Sequence, residues 1–429
     1  MKFLILTQYF APEIGASQVR LAYLCRELAE AGHNVEIVTG MPHHHADRIF
    51  PEYRGQFLLD GEWEGLKVHR TWLYASSKSN VKRLMSYASF ALTCLVGLAR
   101  SEKPDYIFVD SPPPFLAVPG WIAAKLWKVP LAFNVADLWP DSVRDLGVMG
   151  DGFLMRMAFR LERWIYRHAT VVTAVTEGIR ESLLKSKGLP PEKVLFLPNG
   201  VDTRLFRPTS PDEGLKKKLG LAGKKIILYA GNHGYAGAVE QILYAAQALS
   251  DDSSLHFLLV GEGPEKSKLI ELANTLGLNN ITFHNEVPLS EVPAFVGISD
   301  MGVVTLRKSK VMAGARPAKA FVMMAGGKPI VMAAEGEAAR LIQTAGAGVI
   351  VPPENHEHLA SAIRTLFQHP EVAAQMGANG RKYVVSNFQW SLLVRNWIAQ
   401  LSNIPSTATR CDNDVNHAER ETRAGLPND

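Results

Sequence analysis

Short apolar runs alternate with amphipathic segments along almost the whole chain. An apolar run at residues 3–9 is followed by a polar loop, a segment of helical periodicity at 19–31 and a second apolar run at 34–39. Strand, loop, helix and strand in this order predict a βαβ unit. Further strands are predicted at residues 106–109, 131–135 and 171–175. We therefore expect a parallel sheet covered by helices on both faces, with ligands at the carboxyl ends of its strands.

The second half of the chain repeats this alternation. A turn signal at Asn199-Gly200-Val-Asp202 and a polar segment at 203–219 predict a domain boundary. Six more strands are predicted at residues 226–230, 256–260, 281–284, 302–306, 329–332 and 348–351. The fold class is therefore α/β, with two doubly wound, Rossmann-like domains at residues 1–202 and 203–385. A C-terminal helix at 386–402 is expected to pack back toward the first domain, and the polar residues 403–429 are expected to be disordered.

Composition narrows the class of protein. A chain of 429 residues with 47% hydrophobic and 21% charged residues suits two globular domains. The net charge of +4 is too small to indicate nucleic-acid binding. Three cysteines without metal-ligand spacing favour a reducing compartment, and the apolar N-terminus is too short for a signal peptide. We therefore expect a cytoplasmic location.

The stretch from Arg316 to Pro329 has the order of a turn, a helix, a glycine stop and a buried strand. Pro317 suits the first helical turn, and Gly326 with Gly327 ends the helix. Arg316 and Lys319 at the helix start, together with its free amides, predict an anion site. The alternative is an ordinary capped helix with solvated basic residues.

Three glycine-containing loops follow predicted strands. Gly15 with the small Ala16 lets the backbone approach a phosphate at the start of the first helix, or it only makes the turn. The loops Gly231-Asn232-His-Gly234 and Gly261-Glu-Gly263 either wrap a phosphate or turn the chain. The first loop lacks the G-x-G-x-x-G spacing, which argues against a dehydrogenase.

Two features in the first half favour membrane contact. Residues 84–99 form a nearly uninterrupted apolar run flanked by Lys82, Arg83 and Arg100, and it is too short to span a bilayer comfortably. Four arginines, spaced four, three and four residues apart, form one helical stripe opposite an apolar side: Arg156, Arg160, Arg163 and Arg167. The alternative for the apolar run is a helix buried under the sheet. The alternatives for the arginine stripe are a pyrophosphate-bearing ligand and a solvated outer face. We prefer an interfacial helix that binds the inner face of the cytoplasmic membrane.

Taken in order, several motifs resemble those of the GT-B glycosyltransferases, the large retaining family 4, and within it the WbuB-like transferases of surface-polysaccharide assembly. The resemblance extends from the start of the chain to about Leu401. The motifs that carry it are Tyr9-Phe-Ala-Pro-Glu-Ile-Gly15, Lys103-Pro-Asp-Tyr, Ser111-Pro-Pro-Pro-Phe, Asp137-Leu-Trp-Pro-Asp-Ser142, Leu197-Pro-Asn-Gly-Val-Asp202, Tyr229-Ala-Gly-Asn232, Val260-Gly-Glu-Gly-Pro264, Gly336-Glu-Ala-Ala and Ala345-Gly-Ala-Gly.

This resemblance implies that the chain transfers a sugar from a nucleoside diphosphate sugar to an acceptor hydroxyl, with retention at the anomeric carbon. It implies no cofactor and no required metal, a donor site mainly on the second of two domains that face each other across a cleft, and an acceptor site on the first. Lys319 and Asp137 are the implied catalytic residues, of which Asp137 would position the sugar or acceptor or only cap a turn. The implied substrate-binding residues are Gly15, Ala16, Gly231, Asn232, Gly261, Gly263, Arg316 and Glu337.

The chain departs from the family pattern around Lys319. Relatives carry two glutamates eight positions apart, the second of which resembles a clasp for the ribose hydroxyls, and these positions are Gly314 and Val322 here. The family's serine before the lysine is Ala318. Because none of these side chains accepts a hydrogen bond, we expect donor binding to be weaker by about 1.5–3 kcal/mol.

Three functions remain open at this point. The first is a membrane-associated transferase that adds an activated sugar, with an acetamido deoxyhexose as one candidate, to a lipid-linked saccharide. The second is a GT-B pseudoenzyme that binds a sugar nucleotide or a partner and serves as a scaffold. The third, a nucleotide-sugar epimerase, requires acidic and histidine groups that the sequence does not place.

Overall fold

The computed structural model describes residues 1–13, 15–43, 48–76, 80–145 and 152–404. Within it the chain forms two compact units. The N-terminal unit comprises Met1–Val175, Ile179–Leu197 and the described residues from Val394 onward, and the C-terminal unit comprises Thr176–Gly178 and Pro198–Leu393. The sequence analysis placed its boundaries nearby, after residues 202 and 385. Nearly all of the predicted polar tail, from residue 405 onward, lies outside the described residues.

The N-terminal unit is built on a sheet of eight strands in the order β3-β4-β2-β1-β5-β6-β7-β8. All neighbours are parallel except β3 and β4, which are antiparallel. The strands are β1 (Lys2–Leu6), β2 (Asn34–Gly40), β3 (Leu58–Trp63), β4 (Leu66–Thr71), β5 (Tyr106–Ser111), β6 (Leu131–Val135), β7 (Val171–Ala174) and β8 (Val194–Phe196). At the centre of the sheet, Phe3 pairs with Val35 of β2 and with Tyr106 of β5.

Helices cover both faces of this sheet. The first six helices along the chain are α1 (Ala16–Glu30), α2 (Asn80–Arg100), α3 (Ala117–Trp127), α4 (Asp141–Asp145), α5 (Phe153–His168) and α6 (Glu177–Glu181), the last continued by a π-helical turn at Ser182–Ser186. On one face, α2, α3 and α5 bury apolar side chains against the strands in a single core cluster. On the other face, the ring centroid of Trp397 lies 6.0 Å from that of Phe3 and 5.5 Å from that of Phe108. Cys25 and Cys94 are buried free thiols, whereas Cys411 lies outside the described residues.

The C-terminal unit contains a six-stranded, fully parallel sheet in the order β11-β10-β9-β12-β13-β14. Its strands are β9 (Lys225–Ala230), β10 (Leu255–Val260), β11 (Ile281–His284), β12 (Met301–Thr305), β13 (Ile330–Ala333) and β14 (Gly348–Val351). The remaining helices are α7 (Glu213–Lys218), α8 (Glu240–Ala248), α9 (Lys266–Thr275), α10 (Val292–Ile298), α11 (Lys310–Ala313), α12 (Ala318–Ala325), α13 (Gly336–Ala345), α14 (His356–Gln368), α15 (Pro370–Asn387) and α16 (Trp390–Ser402). Two apolar clusters, one on each face of the sheet, form the core.

The residues predicted to begin and end α12 do so in the structure. Pro317 precedes the first helical residue with φ −67°, which suits its ring, and Gly326 follows the last one. Gly327 then takes a left-handed φ of 71°, a conformation that favours glycine, and β13 begins three residues later. Lys319 therefore lies in the first turn of α12, close to the N-terminal end of the helix.

Two parts of the N-terminal unit differ from expectation. The sequence analysis missed the hairpin of β3 and β4, because β3 is an edge strand whose side chains are mostly exposed and do not alternate. On α5 the arginine stripe is exposed as predicted, and Ala158 and Ile165 are buried on the opposite side. Leu154 and Met157, which the helical spacing also places opposite the arginine stripe, are instead exposed by 62% and 44%. The true buried side is shifted and includes Met155 and Glu162.

Candidate active site

Two glycine loops meet at the carboxyl edge of the C-terminal sheet. Gly231 follows β9, Gly261 follows the adjacent strand β10, and the amide of His233 donates to the carbonyl oxygen of Glu262 at 2.8 Å. Gly261 has a φ of +146°, and a Cβ at this position would lie 2.1 Å from the carbonyl oxygen of Gly231. Glycine is required at 261 because both the conformation and the contact exclude a side chain. The two loops picked out by the sequence thus form one backbone surface.

Lys319 extends from α12 to this surface. Its Nζ donates to Tyr229 Oη at 2.6 Å and lies 3.9 Å from the centroid of the Tyr229 ring. Tyr229 Oη in turn donates to the carbonyl oxygen of Asn232 at 2.8 Å. A Cβ at Gly231 would lie 3.2 Å from Lys319 Cε, so the lysine also touches the glycine loop. The structure therefore brings Lys319, Gly231 and Asn232 together, and Tyr229 connects them.

The Lys319 ammonium is held without a compensating charge. Among the described residues, no carboxylate lies within ion-pair distance of it. Although part of the side chain reaches solvent, the amino group is enclosed, and its burial lowers the pKa of Lys319 to about 7. An anion placed at this amino group would favour the protonated form and raise the pKa again. The Lys319 amino group is therefore suited to binding an anion.

Arg316 and Glu337, which the sequence also assigned to substrate binding, form a buried pair in the same unit. The guanidinium of Arg316 contacts the Glu337 carboxylate and lies 5.6 Å from the centroid of the Phe388 ring. Glu337 also accepts hydrogen bonds of 3.0 Å each from the amides of Glu177 and Gly178. Arg316 therefore has its charge balanced inside the protein, unlike Lys319. Contacts of either side chain with a substrate remain predictions.

Gly314, Ala318 and Val322 stand where the family pattern has side chains that accept hydrogen bonds. Their own side chains contribute no hydrogen-bond acceptor. Val322 packs, partly buried, against the apolar cluster on one face of the sheet. Gly314 precedes Arg316 by two residues, and its Cα lies 3.8 Å from the Cβ position of Gly178. Ala318 is exposed at the first position of α12. One turn beyond Lys319, the helix therefore offers only an aliphatic surface.

His233 and Lys266 are features of this edge that the sequence analysis did not select. His233 is fully buried, and among the described residues neither ring nitrogen has a hydrogen-bond partner. Burial, followed by the charges of Lys266 and Lys319, lowers the pKa of His233 to about 4, so its ring is neutral. Lys266 donates to Glu262 at 2.6 Å and to Asn285 at 2.9 Å, which fixes the Gly261 loop. The sequence signals that could have pointed to them are the motif Gly-Asn-His-Gly, which contains His233, and the motif Gly-Glu-Gly-Pro, which ends two residues before Lys266.

In the N-terminal unit, Gly15 and Ala16 lie where the first βαβ unit predicted them. Gly15 precedes α1 with an extended backbone, φ 178°, which any residue adopts, and its carbonyl oxygen accepts from the amide of Val19 at 3.0 Å. Ala16 is the first residue of the helix. The φ at Gly15 therefore does not itself require glycine, and the contacts of Gly15 and Ala16 with a substrate remain predictions.

A buried polar network fixes the start of α1. Asp110, at the end of β5, accepts from Ser17 Oγ at 2.9 Å and from Asn134 Nδ2 at 2.7 Å. Arg20 Nη1 lies 3.5 Å from Asp110 Oδ1, and both side chains are buried. Burial raises the pKa of Asp110, while Arg20 acts against this rise. The sequence analysis did not find this network, although a charged residue at the end of an apolar strand was a usable signal.

Asp137 follows β6 and is exposed. Its Oδ2 accepts from Ser142 Oγ at 2.8 Å, which supports the turn that leads into α4. It also borders a small open recess in the N-terminal unit, lined by Ser111, Pro114, Phe133, Val135, Asp137, Trp139, Glu162, Ile165 and Tyr166. Burial raises the pKa of Glu162, which accepts from Lys187 at 2.9 Å. Asp137 thus stabilises a turn and faces a space, and its catalytic role remains a prediction.

Metal ligands do not gather in the described parts of the chain, where no group of three or more histidine, cysteine, aspartate or glutamate side chains could hold an ion. The chemistry available at the C-terminal edge is instead that of a lysine at the start of a helix and of the adjacent glycine loops. Such groups bind phosphate oxygens and stabilise negative charge on a leaving group.

Two family models match consecutive parts of the chain. The model described as a Glycosyl transferase 4-like domain matches residues 15–200. The model described as Glycosyl transferases group 1 matches residues 212–383. The two matches follow each other without overlap and divide the sequence close to the boundary between the two units.

Relatives and solved structures of the same kind match nearly the whole chain. The putative colanic acid biosynthesis glycosyl transferase WcaI of Escherichia coli K12 is 28% identical over 383 residues, which cover 86% of this chain and 93% of that protein. Sucrose-phosphate synthase of Thermosynechococcus elongatus superposes with a TM-score of 0.71 at 18% identity, covering 94% and 98% of the two chains. HepE of Anabaena in complex with UDP-glucose superposes with a TM-score of 0.69 at 19% identity, covering 94% of this chain and 99% of that chain. These structures confirm the predicted fold class.

Proposed function

Since the chain is a GT-B glycosyltransferase of family 4, we propose that it transfers a sugar from a nucleoside diphosphate sugar to a lipid-linked saccharide, with retention at the anomeric carbon. The observation that carries this proposal is the Lys319 ammonium, enclosed beside the glycine loops of the C-terminal sheet without a carboxylate. A diphosphate would supply the missing negative charge.

The proposed chemistry follows from where charge develops. The bond between the anomeric carbon and the diphosphate oxygen breaks, and a bond from that carbon to the acceptor oxygen forms, while the acceptor proton leaves on the diphosphate. Lys319 and the amides of the Gly231 and Gly261 loops stabilise the negative charge that grows on the leaving diphosphate. In this proposal no metal ion is required, and Asp137 positions the sugar or the acceptor.

The biological context is proposed from the relatives. WcaI is named for colanic acid biosynthesis, and WbjE of Pseudomonas aeruginosa, which is 25% identical over 300 residues, is described as a probable glycosyltransferase. They support a role in the synthesis of a cell-surface polysaccharide, such as an O antigen or exopolysaccharide. The UDP-glucose complex of HepE supports a UDP sugar as donor, with an acetamido deoxyhexose as one candidate.

The proposed location is the cytoplasm, with the protein peripheral on the inner face of the cytoplasmic membrane. A lipid-linked acceptor requires an enzyme that works at a membrane surface. The apolar helix α2 and the exposed arginine stripe of α5 support this location.

Calorimetry with UDP, GDP, CDP and dTDP tests the donor site. We expect saturable binding of one diphosphate, weakened by about 1.5–3 kcal/mol, or roughly ten- to 150-fold, in Lys319→Ala. Lys328→Ala is the matched control, because this partly buried lysine of the same unit donates to the carbonyl oxygens of Gly297 and Ser299 instead. Lys328→Ala should lower stability but leave the affinity unchanged.

The outcomes separate the functions. Absence of binding to every diphosphate, or equal binding by wild type and Lys319→Ala, contradicts the proposed donor site. Tight diphosphate binding with no hydrolysis or transfer of any UDP sugar would favour the scaffold function that Gly314 and Val322 first suggested. Product stereochemistry, measured by NMR, decides whether the transfer retains the anomeric configuration.

A further inference from the structure

We infer that helices α2, α3 and α5 together form one surface that docks the protein on an anionic lipid bilayer. The inference deepens the membrane location in the proposed function and rests on it. In the described part of the chain, eighteen large hydrophobic side chains are exposed, of which six lie on α2, three on α3 and three on α5. Leu92 of α2 is 71% exposed, Leu126 of α3 is 77% exposed and Phe153 of α5 is 67% exposed. A concentration of this kind marks an interaction surface.

The three helices lie side by side on one face of the N-terminal sheet. Trp121 of α3 packs against Trp164 of α5 with ring centroids 5.3 Å apart, and Tyr87 of α2 lies 6.4 Å from Phe115, just before α3. Their inward sides belong to one core cluster, to which Phe90, Ala123 and Ile165 contribute. Because the inward sides share one sheet face, the outward sides form one continuous surface. We call it the three-helix face.

The ionic side chains exposed on the three-helix face are all basic. The α5 stripe of Arg156, Arg160, Arg163 and Arg167 is exposed, as are Lys82 and Arg83 at the start of α2. Glu162 is the single acidic residue in the sequences of the three helices, and it is buried and bonded to Lys187. Exposed apolar side chains accompanied on the same helices by basic ones suit a membrane whose acyl chains lie beneath anionic headgroups.

The inner packing of α2 requires it to lie along the membrane rather than cross it. The helix α2 is longer than the apolar run at residues 84–99, and by length and composition its segment Val81–Arg100 could span a bilayer. However, Phe90 and Cys94 are fully buried against the sheet, and Leu98 is only 3% exposed. Withdrawing α2 into a bilayer would expose this core, which is unfavourable because each of these large apolar side chains would lose its packing against the sheet. An interfacial position immerses the outward side and leaves the core intact.

The charge also argues against a second copy of the chain as the occupant. A symmetric dimer places the same patch against itself. Two three-helix faces would then bring their arginine stripes together without an acidic residue between them, and like charges brought together repel. An anionic lipid surface complements the apolar and the basic side chains at once.

Vesicle flotation of the full chain tests this surface. Wild type should float with vesicles of phosphatidylcholine and phosphatidylglycerol, float less with phosphatidylcholine alone, and dissociate as salt is raised. Leu92→Asp/Leu126→Asp/Phe153→Asp should weaken the partition by more than about tenfold. Arg160→Gln should weaken it by about fivefold on anionic vesicles only. The matched control Ile270→Asp/Val372→Asp, at hydrophobic residues exposed on the C-terminal unit, should float like wild type.

Each other result contradicts the inference. Failure of wild type to float with anionic vesicles overturns it, as does equal flotation of the triple variant. If sedimentation shows a wild-type dimer that the triple variant separates, the face binds a second copy instead. UDP binding by calorimetry, measured on the same samples, keeps the two proposals distinct. Unchanged UDP binding with lost flotation affects only the membrane surface, and retained flotation without UDP binding affects only the donor site.

Discussion

Arg20 in the N-terminal unit and Lys319 in the C-terminal unit both lie near the carboxyl edge of a sheet, but their positive charges are compensated differently. In the N-terminal unit, Arg20 lies 3.5 Å from the buried carboxylate of Asp110, which Ser17 and Asn134 also contact. In the C-terminal unit, Lys319 contacts the hydroxyl and ring of Tyr229, and none of the described carboxylates neutralises it. Burial lowers the pKa of both cations.

The difference distinguishes structure from function. A buried ion pair whose members are hydrogen-bonded holds the start of α1 and has no charge left for a ligand. A desolvated lysine without an anion destabilises the folded protein, and such a cost is tolerated where a ligand restores the balance. Arg316, which precedes Lys319 by three residues, resembles Arg20 because the carboxylate of Glu337 neutralises its charge. The comparison therefore favours Lys319 as the anion-binding residue of the proposed function, and the substrate contact of Arg316 stays a prediction.

The largest expected effect comes from Asp110→Ala. Removing the carboxylate leaves Arg20 buried without its partner, which should lower the free energy of unfolding by about 3–5 kcal/mol in urea denaturation. Lys319→Met is the matched variant, and it should cause no loss because the methionine removes an uncompensated buried charge. If Lys319→Met destabilises the protein as much as Asp110→Ala does, the charge of Lys319 is compensated inside the folded protein as that of Arg20 is, and the comparison fails.

Gly261→Ala should have the next largest effect. Its φ of +146° costs an alanine about 1–2 kcal/mol. The contact of the new Cβ with the Gly231 carbonyl oxygen adds about 1–3 kcal/mol or displaces the loop. We expect lower stability in denaturation and weaker UDP binding together.

Gly277→Ala is the control for this change. Gly277 has a left-handed φ of +64°, but a Cβ there would meet nothing within 4 Å. It should therefore show the conformational cost alone, with unchanged UDP affinity. Equal losses of UDP affinity in the two variants would mean that the loop contact has no part in the site.

Val322→Glu should strengthen donor binding by about 1.5–3 kcal/mol, or one to two decades, if residue 322 faces the ribose. A glutamate at 322 also lies one turn from Lys319 on α12 and could neutralise it. Calorimetry with uridine as well as UDP separates the two effects. Tighter binding of both ligands supports a ribose contact, whereas unchanged uridine affinity with weaker UDP binding shows that the new carboxylate has only paired with Lys319.

The order of elements could be predicted because it depends on local signals. Continuous apolar runs marked the parallel strands, and Pro317 and Gly326 marked the two ends of α12. The hairpin of β3 and β4 carried no such signal, since a largely exposed edge strand does not need alternating residues. The phase of the buried side of α5 was also missed, because Leu154 and Met157 are apolar but face outward.

The sequence located the glycines and the lysine of the candidate site, but not the residues that contact them. Glycines and the lysine were recognisable because only their residue types fit a close approach and a free cation. In the sequence, Tyr229 could not be told apart from the apolar residues of β9. Its hydroxyl accepts a hydrogen bond from Lys319 only because the fold brings α12 next to β9. The pair of Arg316 with Glu337 and the network of Asp110 likewise join residues distant in sequence, which periodicity cannot reveal.

The most direct test of the central claim is the number of protons taken up when UDP binds. Calorimetry at pH 8 in buffers of different ionisation enthalpy measures this number. Because the free protein holds Lys319 with a pKa of about 7, the lysine is mostly neutral at pH 8, and a bound diphosphate should restore its charge. We predict the uptake of nearly one proton by wild type and none by Lys319→Arg, whose guanidinium is always charged. UDP binding without proton uptake by wild type, or with the same uptake by Lys319→Arg, would contradict the account.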